Sequence, residues 1–133
     1  MNNSINASRF LKLQKDFFGA CDSCAEAAAR RSGITKDEVR ALVYIFEMPE
    51  HKAELDKVNS VCGGDVAAKL TENKLAEISG GEILLTGRGG ITAKSAAMSE
   101  EKFFSAALQS ITPEELFIFE SVLEKISKNL AKY

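Results

Sequence analysis

The sequence predicts a mainly α-helical domain with one small β-hairpin, a winged helix-turn-helix flanked by long N- and C-terminal helices. Two observations predict it. Two strand-like runs, residues 74–78 and 83–86, are separated by Ser79-Gly80-Gly81-Glu82, and glycines supply the positive φ that tight hairpin turns need. On both sides of that hairpin, apolar residues recur at spacings of three and four, the period of amphipathic helices. A single hairpin embedded in a helical chain points to DNA binding or to a relic of it.

The 133 residues are expected to form one domain, residues 1–133, long enough to bury a core without staples. Apolar content of 45% and charged content of 27% fit an ordinary soluble domain. No apolar run approaches the ~20 residues of a membrane span, so no membrane association is expected. Met1-Asn2-Asn3-Ser4 lacks a basic stretch leading into an apolar core, so no secretory signal is read. The sequons at Asn2 and Asn6 then carry no weight. A cytoplasmic location follows, with the three cysteines reduced. The net charge of −2 separates this chain from strongly basic nucleic-acid binders, whose domain pI often exceeds ~9. A locally basic face on an acidic protein is still compatible with DNA.

The first helix is predicted from a Ser8 cap to about Arg31. Its stripe runs through Phe10, Leu11, Leu13, Phe17, Phe18, Cys21, Cys24, Ala25 and Ala28, wide enough for a core or a partner. Gly33 ends it. Thr35-Lys36-Asp37-Glu38 reads as a capping box for a second helix with Val39, Leu42, Val43, Ile45 and Phe46 inward. Pro49 punctuates its end. A third helix is predicted over residues 50–61, with Leu55, Val58 and Val61 inward, until Gly63-Gly64 breaks it. Asp65 caps a short fourth helix with Val66, Ala67 and Leu70 inward, ending near Asn73. After the hairpin, residues 90–110 read as helix, anchored by Ile91, Phe103, Phe104, Ala107 and Leu108. Thr112-Pro113-Glu114-Glu115 then starts a last helix carrying Leu116, Phe119, Val122, Leu123, Ile126 and Leu130. Residues 35–89 make the winged unit. Residues 8–31 and 90–131 make terminal helices more apolar than a lone small domain needs, which suggests a dimer interface.

The nucleic-acid candidates are Lys52, Lys57, Asn59, Ser60, Lys69, Lys74 and Arg88. The cations suit phosphates, and Asn59 and Ser60 offer hydrogen bonds near the turn. The plain alternative is that these lysines are solvated surface. Specific base readout usually uses Arg, Asn or Gln on the recognition helix, and the exposed middle of the fourth helix has none. Cys21 and Cys24 lie at i and i+3 on one helix face, a candidate redox pair, with Cys62 a third thiol. Packing as small core residues is the ordinary use of such cysteines. One C-x-x-C pair with His51 falls short of a structural zinc pattern, so no metal is expected. Nucleophile-elbow, Walker and dinucleotide fingerprints are missing, so neither catalysis nor a cofactor is expected.

Leu85-Thr86-x-x-Gly89, Asn73-Lys74-Leu75-Ala76-Glu77 and Ser110-Ile111-Thr112-Pro113-Glu114-Glu115-Leu116, in that order of elements, resemble the MarR family of bacterial transcription regulators over residues 8–131. The resemblance implies a homodimer knitted by terminal helices, double-stranded DNA as partner, a recognition helix at 63–73 and a wing at 75–86. It also implies modulation by a small molecule or an oxidant. A ligand pocket lined by Phe17, Phe18, Tyr44, Met48 and Phe104 is carried over from the family, although aromatic residues at helical spacing are commonly core. The wing tip departs from the family pattern. It is short, and Glu82 stands where a cation would meet DNA. Two functions follow. One is a dimeric DNA-binding regulator of MarR type. The alternative is a degenerate winged-helix dimer that does not bind DNA and works as a protein-interaction module or antirepressor.

Overall fold

A computed structural model describes residues 7–133; residues 1–6, with the sequon asparagines and the stretch read for a secretory signal, lie outside the described residues. The chain divides into two compact units, one ending at Lys102 and the other spanning Phe103–Tyr133. Among the described residues, no helix is long and apolar enough to cross a membrane.

In the first unit, α1 spans Ala7–Ser32, so Ser8 sits inside the helix rather than capping it. Its end is closed by Gly33 at φ 70°. The Gly33 N–H donates to Arg30 O and the Ile34 N–H to Ala29 O, the paired bonds of a Schellman stop. α2 (Lys36–Phe46) opens on the predicted capping box of Thr35 and Glu38. It buries Val39, Ala41, Leu42, Val43 and Ile45, and Leu42 and Ile45 are fully enclosed. Burial of such side chains contributes about 1.5–3 kcal/mol each. Asp22 on α1 accepts from Lys36 (2.9 Å) and Arg40 (2.8 Å) of α2, clamping the two helices.

The predicted helix over 50–61 is corrected. Residues 49–51 form a single 3₁₀ turn, and Lys52–Glu54 form a strand, β1. The helix α3 begins only at Leu55 and ends at Cys62. Tertiary pairing explains the change. β1 lies antiparallel to β3 (Glu82–Leu85), with Ala53 opposite Ile83, and both are buried. The later start also shifts the buried face of α3, so that Val58 and Cys62 point inward while Val61 is 61% exposed.

α4 (Val66–Glu72) precedes β2 (Ala76–Ser79). β2 and β3 form the predicted hairpin, closed by Gly80 and Gly81 at φ 57° and 81°, the pattern of a type I′ turn. The sheet order is β1-β3-β2. The next helix, α5, spans Gly87–Ala107, three residues earlier than predicted, because Thr86 Oγ1 accepts from the Gly89 N–H (3.0 Å) and caps the glycine-rich turn. Ala93 and Ala96 are its buried side chains. Ile91, predicted as an anchor, is 75% exposed. Ser99 stays inside the helix and accepts from the Arg31 guanidinium at 2.7 Å.

In the second unit, Phe103 and Phe104 meet edge to face at 5.1 Å. α6 (Pro113–Ala131) starts with the predicted Thr112–Glu115 capping box and Pro113 in its first turn.

Candidate nucleic-acid interface

α3 and α4 are joined by a tight turn through Gly63, whose φ of 124° only glycine adopts readily. Asp65 occupies the N-cap of α4 but makes no capping bond with its side chain. That role falls to Asn59, whose Oδ1 accepts from the Ala67 N–H at 3.3 Å. Asn59 is half-buried, and its oxygen serves the turn rather than a ligand. Val66, Ala67 and Leu70 fix the inner face of α4 to the core. The outer face presents Ala68, Lys69, Thr71 and Glu72. Seven residues span only about 10 Å, roughly two turns, so the helix offers a short surface.

α4 also ends in a Schellman motif. The Lys74 N–H donates to Thr71 O (3.0 Å) and the Leu75 N–H to Leu70 O (2.9 Å). Lys74 takes the left-handed position at φ 61°, which favours glycine. The motif at the end of the wing has a physical basis here. Thr86 Oγ1 donates to Lys74 O (2.9 Å), and the Thr86 N–H donates to Leu75 O (3.1 Å). A Cβ at position 89 would collide with the Leu75 carbonyl oxygen, so only glycine lets α5 approach this strand entry.

The predicted site residues fall into three groups. Lys74 and Arg88 are brought together on the rim of one groove of about 360 Å³, which Asn73, Leu75 and Thr92 also line. Lys57 and Ser60 are exposed on α3. Neither Lys57, Lys74 nor Arg88 forms an ion pair among the described residues. Lys69 is exposed on α4 but lies 3.8 Å from Asp65, and Lys52 is held by Glu50 (3.1 Å) and Glu82 (3.9 Å). Over residues 52–88, five cations (Lys52, Lys57, Lys69, Lys74, Arg88) stand against six carboxylates (Glu54, Asp56, Asp65, Glu72, Glu77, Glu82). The hairpin tip carries Glu82 and no cation.

The thiols and the aromatic set are distributed differently. Cys21 and Cys24 are half-buried and Cys62 is buried. Burial, then Cys24 and Glu100, push the Cys21 thiol up. Burial and Asp37 do the same to Cys62, against the opposing pull of Arg40. Both shifts reduce the thiolate that oxidants attack. Among the described residues, no three His, Cys, Asp or Glu side chains come together to hold a metal ion. Tyr44 and Met48 pack against the main core, whereas Phe17 and Phe18 lie exposed on α1 with ring centres 5.9 Å apart. Phe104 belongs to the second unit. Sequence reasoning missed two polar partners, Glu38 and Asn73, joined at 2.7 Å across 35 positions. A capping box marks Glu38, but no local pattern marks its second bond.

No protein-family model matches the sequence, and no curated protein is similar to it. Solved structures do match. AbsC, a MarR family transcriptional regulator from Streptomyces coelicolor, aligns with a TM-score of 0.74 at 14% identity, covering 100% of this chain and 98% of its own. A MarR family regulator from Silicibacter pomeroyi gives a TM-score of 0.72 at 16% identity, covering 88% and 86%. Sco3205, a MarR family regulator from Streptomyces coelicolor solved in complex with DNA, gives 0.69 at 15% identity, covering 98% and 92%. With a helix-turn-helix of α3 and α4, a two-stranded wing and long flanking helices, the chain has the winged-helix fold of the MarR family of transcriptional regulators.

Proposed function

We propose that the protein is a homodimeric, DNA-binding transcriptional regulator of MarR type that works in the cytoplasm and is tuned by a small molecule. The observation that carries this reading is the presentation of α4. Its apolar face is locked into the core and its other face is exposed, carrying Lys69, with Lys74 and Arg88 on the groove at its C-terminal end. Cations so arranged suit the phosphates flanking a groove. The DNA complex of Sco3205 supports the same use of this fold. The dimer is supported by the exposed apolar side chains of α1 and α6, among them Phe10, Phe18, Phe117, Phe119 and Leu130, since contiguous apolar faces of this kind mark association surfaces.

The test is fluorescence anisotropy with a labelled duplex from upstream of the protein's own gene, against a scrambled duplex, over a range of salt. Native protein prefers the first duplex. Lys69→Glu weakens binding to both and lowers the salt slope by about 1 or more. An unchanged slope in that variant removes Lys69 from the interface. A second reading is favoured by one observation, the excess of carboxylates over cations across residues 52–88. On that reading the helix-turn-helix face docks a protein as an antirepressor would. Weak binding equal for both duplexes and lost at modest salt selects it.

A further inference from the structure

Glu38 is 2% exposed and is the one charged side chain buried among the described residues. Buried carboxyl oxygens need hydrogen-bond partners, and Glu38 finds them on two elements. Oε1 accepts from the Thr35 backbone N–H (3.1 Å) and from Thr35 Oγ1 (3.0 Å), completing the capping box of α2. Oε2 accepts from Asn73 Nδ2 at 2.7 Å. A capping box uses only the first oxygen. The second reaches across the fold to the C-cap of α4.

Asn73 precedes Lys74, whose carbonyl accepts from Thr86 Oγ1, and the same hydroxyl caps the turn of α5 that carries Arg88. Asn73, Lys74 and Arg88 line one groove. Hydrogen bonds and the Asn73–Lys74 peptide link therefore lead from a buried carboxyl group to the backbone of Lys74 and to the helical turn that carries Arg88. We infer that Glu38 is a positioning residue for the DNA interface: through Asn73 it fixes the C-terminal end of α4 and, with it, the placement of Lys74 and Arg88. The inference rests on the DNA-binding reading above.

The bond has a polarity that a swap can test. Glu38→Gln keeps a residue type suited to the capping box, and because Asn73 is exposed its amide can turn over and present its oxygen to the new donor, so this variant is the mild one. Asn73→Asp sets two carboxyl groups against each other. The double variant Glu38→Gln/Asn73→Asp restores one donor and one acceptor with the net charge of Glu38 and Asn73 combined unchanged.

Two readouts are taken on the full chain. The first is hydrogen exchange at the Lys74 and Leu75 amides, which donate to Thr71 O and Leu70 O. Asn73→Asp loses roughly five- to a hundredfold of protection there, the scale of a buried polar group left unmatched, Glu38→Gln loses little, and the double variant regains most of what Asn73→Asp loses. The second is anisotropy with the upstream duplex at protein concentrations corrected for folded fraction. Asn73→Asp weakens binding several-fold or more, and the double variant recovers. Native protection and native affinity in Asn73→Asp overturn the inference. So does a double variant no better than the worse single. If the native protein binds no duplex, the DNA reading falls and the positioning role with it. Loss and rescue of protection would then uphold only the Glu38–Asn73 link.

Discussion

Thr35 and Thr112 cap α2 and α6 in the same way, each hydroxyl accepting from the backbone N–H of a glutamate three residues on, whose carboxyl accepts the return bond. The two helices then diverge. α2 has 11 residues and buries six of them, while α6 has 19 and fully buries none. Phe117 is 70% exposed, and Phe119, Leu123 and Leu130 are exposed with it. Capping determines where a helix starts, but the stability of the helix comes from what its apolar stripe meets. The stripe of α2 meets α3, α4 and the sheet. That of α6 has its burial still to gain, and a second copy of the chain is the occupant proposed above.

The largest expected effects test that contrast directly. Leu42→Ala empties a fully enclosed site and should cost about 2–5 kcal/mol in denaturant unfolding. Leu123→Asp should instead act on association, lowering the dimer fraction in sedimentation with helicity retained at high protein concentration. A Leu123→Asp variant that unfolds as far as Leu42→Ala, independently of concentration, would show that the α6 stripe is buried within its own chain.

Gly89→Ala sharpens the buried side of the comparison. The added methyl meets backbone, the Leu75 carbonyl, which cannot turn aside without breaking its bond from the Thr86 N–H. A cost of about 3 kcal/mol or more is expected, read as a fall in melting temperature. A native melting temperature would mean that α5 can slide off the strand entry.

Lys74→Gly separates scaffold from surface. Lys74 sits at φ 61° in the position that glycine usually fills. Replacement should stabilise the fold by about 1 kcal/mol while removing a cation from the groove it shares with Arg88. A higher melting temperature with weaker duplex binding is the expected pair of results. Weaker binding without stabilisation would mean that the left-handed turn costs nothing here.

The sequence showed best what is local. Both capping boxes, the Gly33 stop and the Gly80-Gly81 turn depend on residues within a few positions of one another, and each stands as read. What stayed hidden depends on distant partners. Lys52-Ala53-Glu54 is a strand because β3 offers it an edge, and its three residues carry no strand pattern of their own. Asn59 caps α4 in place of Asp65 because the turn at Gly63 folds α3 back against it. Ile91 was read as inward from helical period alone, yet the buried face of α5 follows Gly89, Ala93 and Ala96. For the site, Lys74 and Arg88 were legible as cations, but their shared groove needed the fold. The Glu38–Asn73 bond needed it as well.

The smallest effect belongs to the joint between α1 and α2, where one carboxylate on a helix with little burial is tied to a helix with much. Hydrogen bonding from Lys36, aided by Arg40, holds the Asp22 carboxyl below its ordinary value. A folded-state value below the unfolded one stabilises the fold above the unfolded aspartate pKa of about 3.9, and that contribution is lost as pH falls through the folded value. Asp22→Asn should therefore lower stability at neutral pH, modestly because the pair is solvated. The gap from the native protein should close as both are taken below about pH 4. Denaturant midpoints measured across that range decide the matter. A gap that persists undiminished at low pH would mean that Asp22 acts by shape rather than charge, and that α1 is held to α2 by Ala28, Ala29, Val39 and Val43 alone.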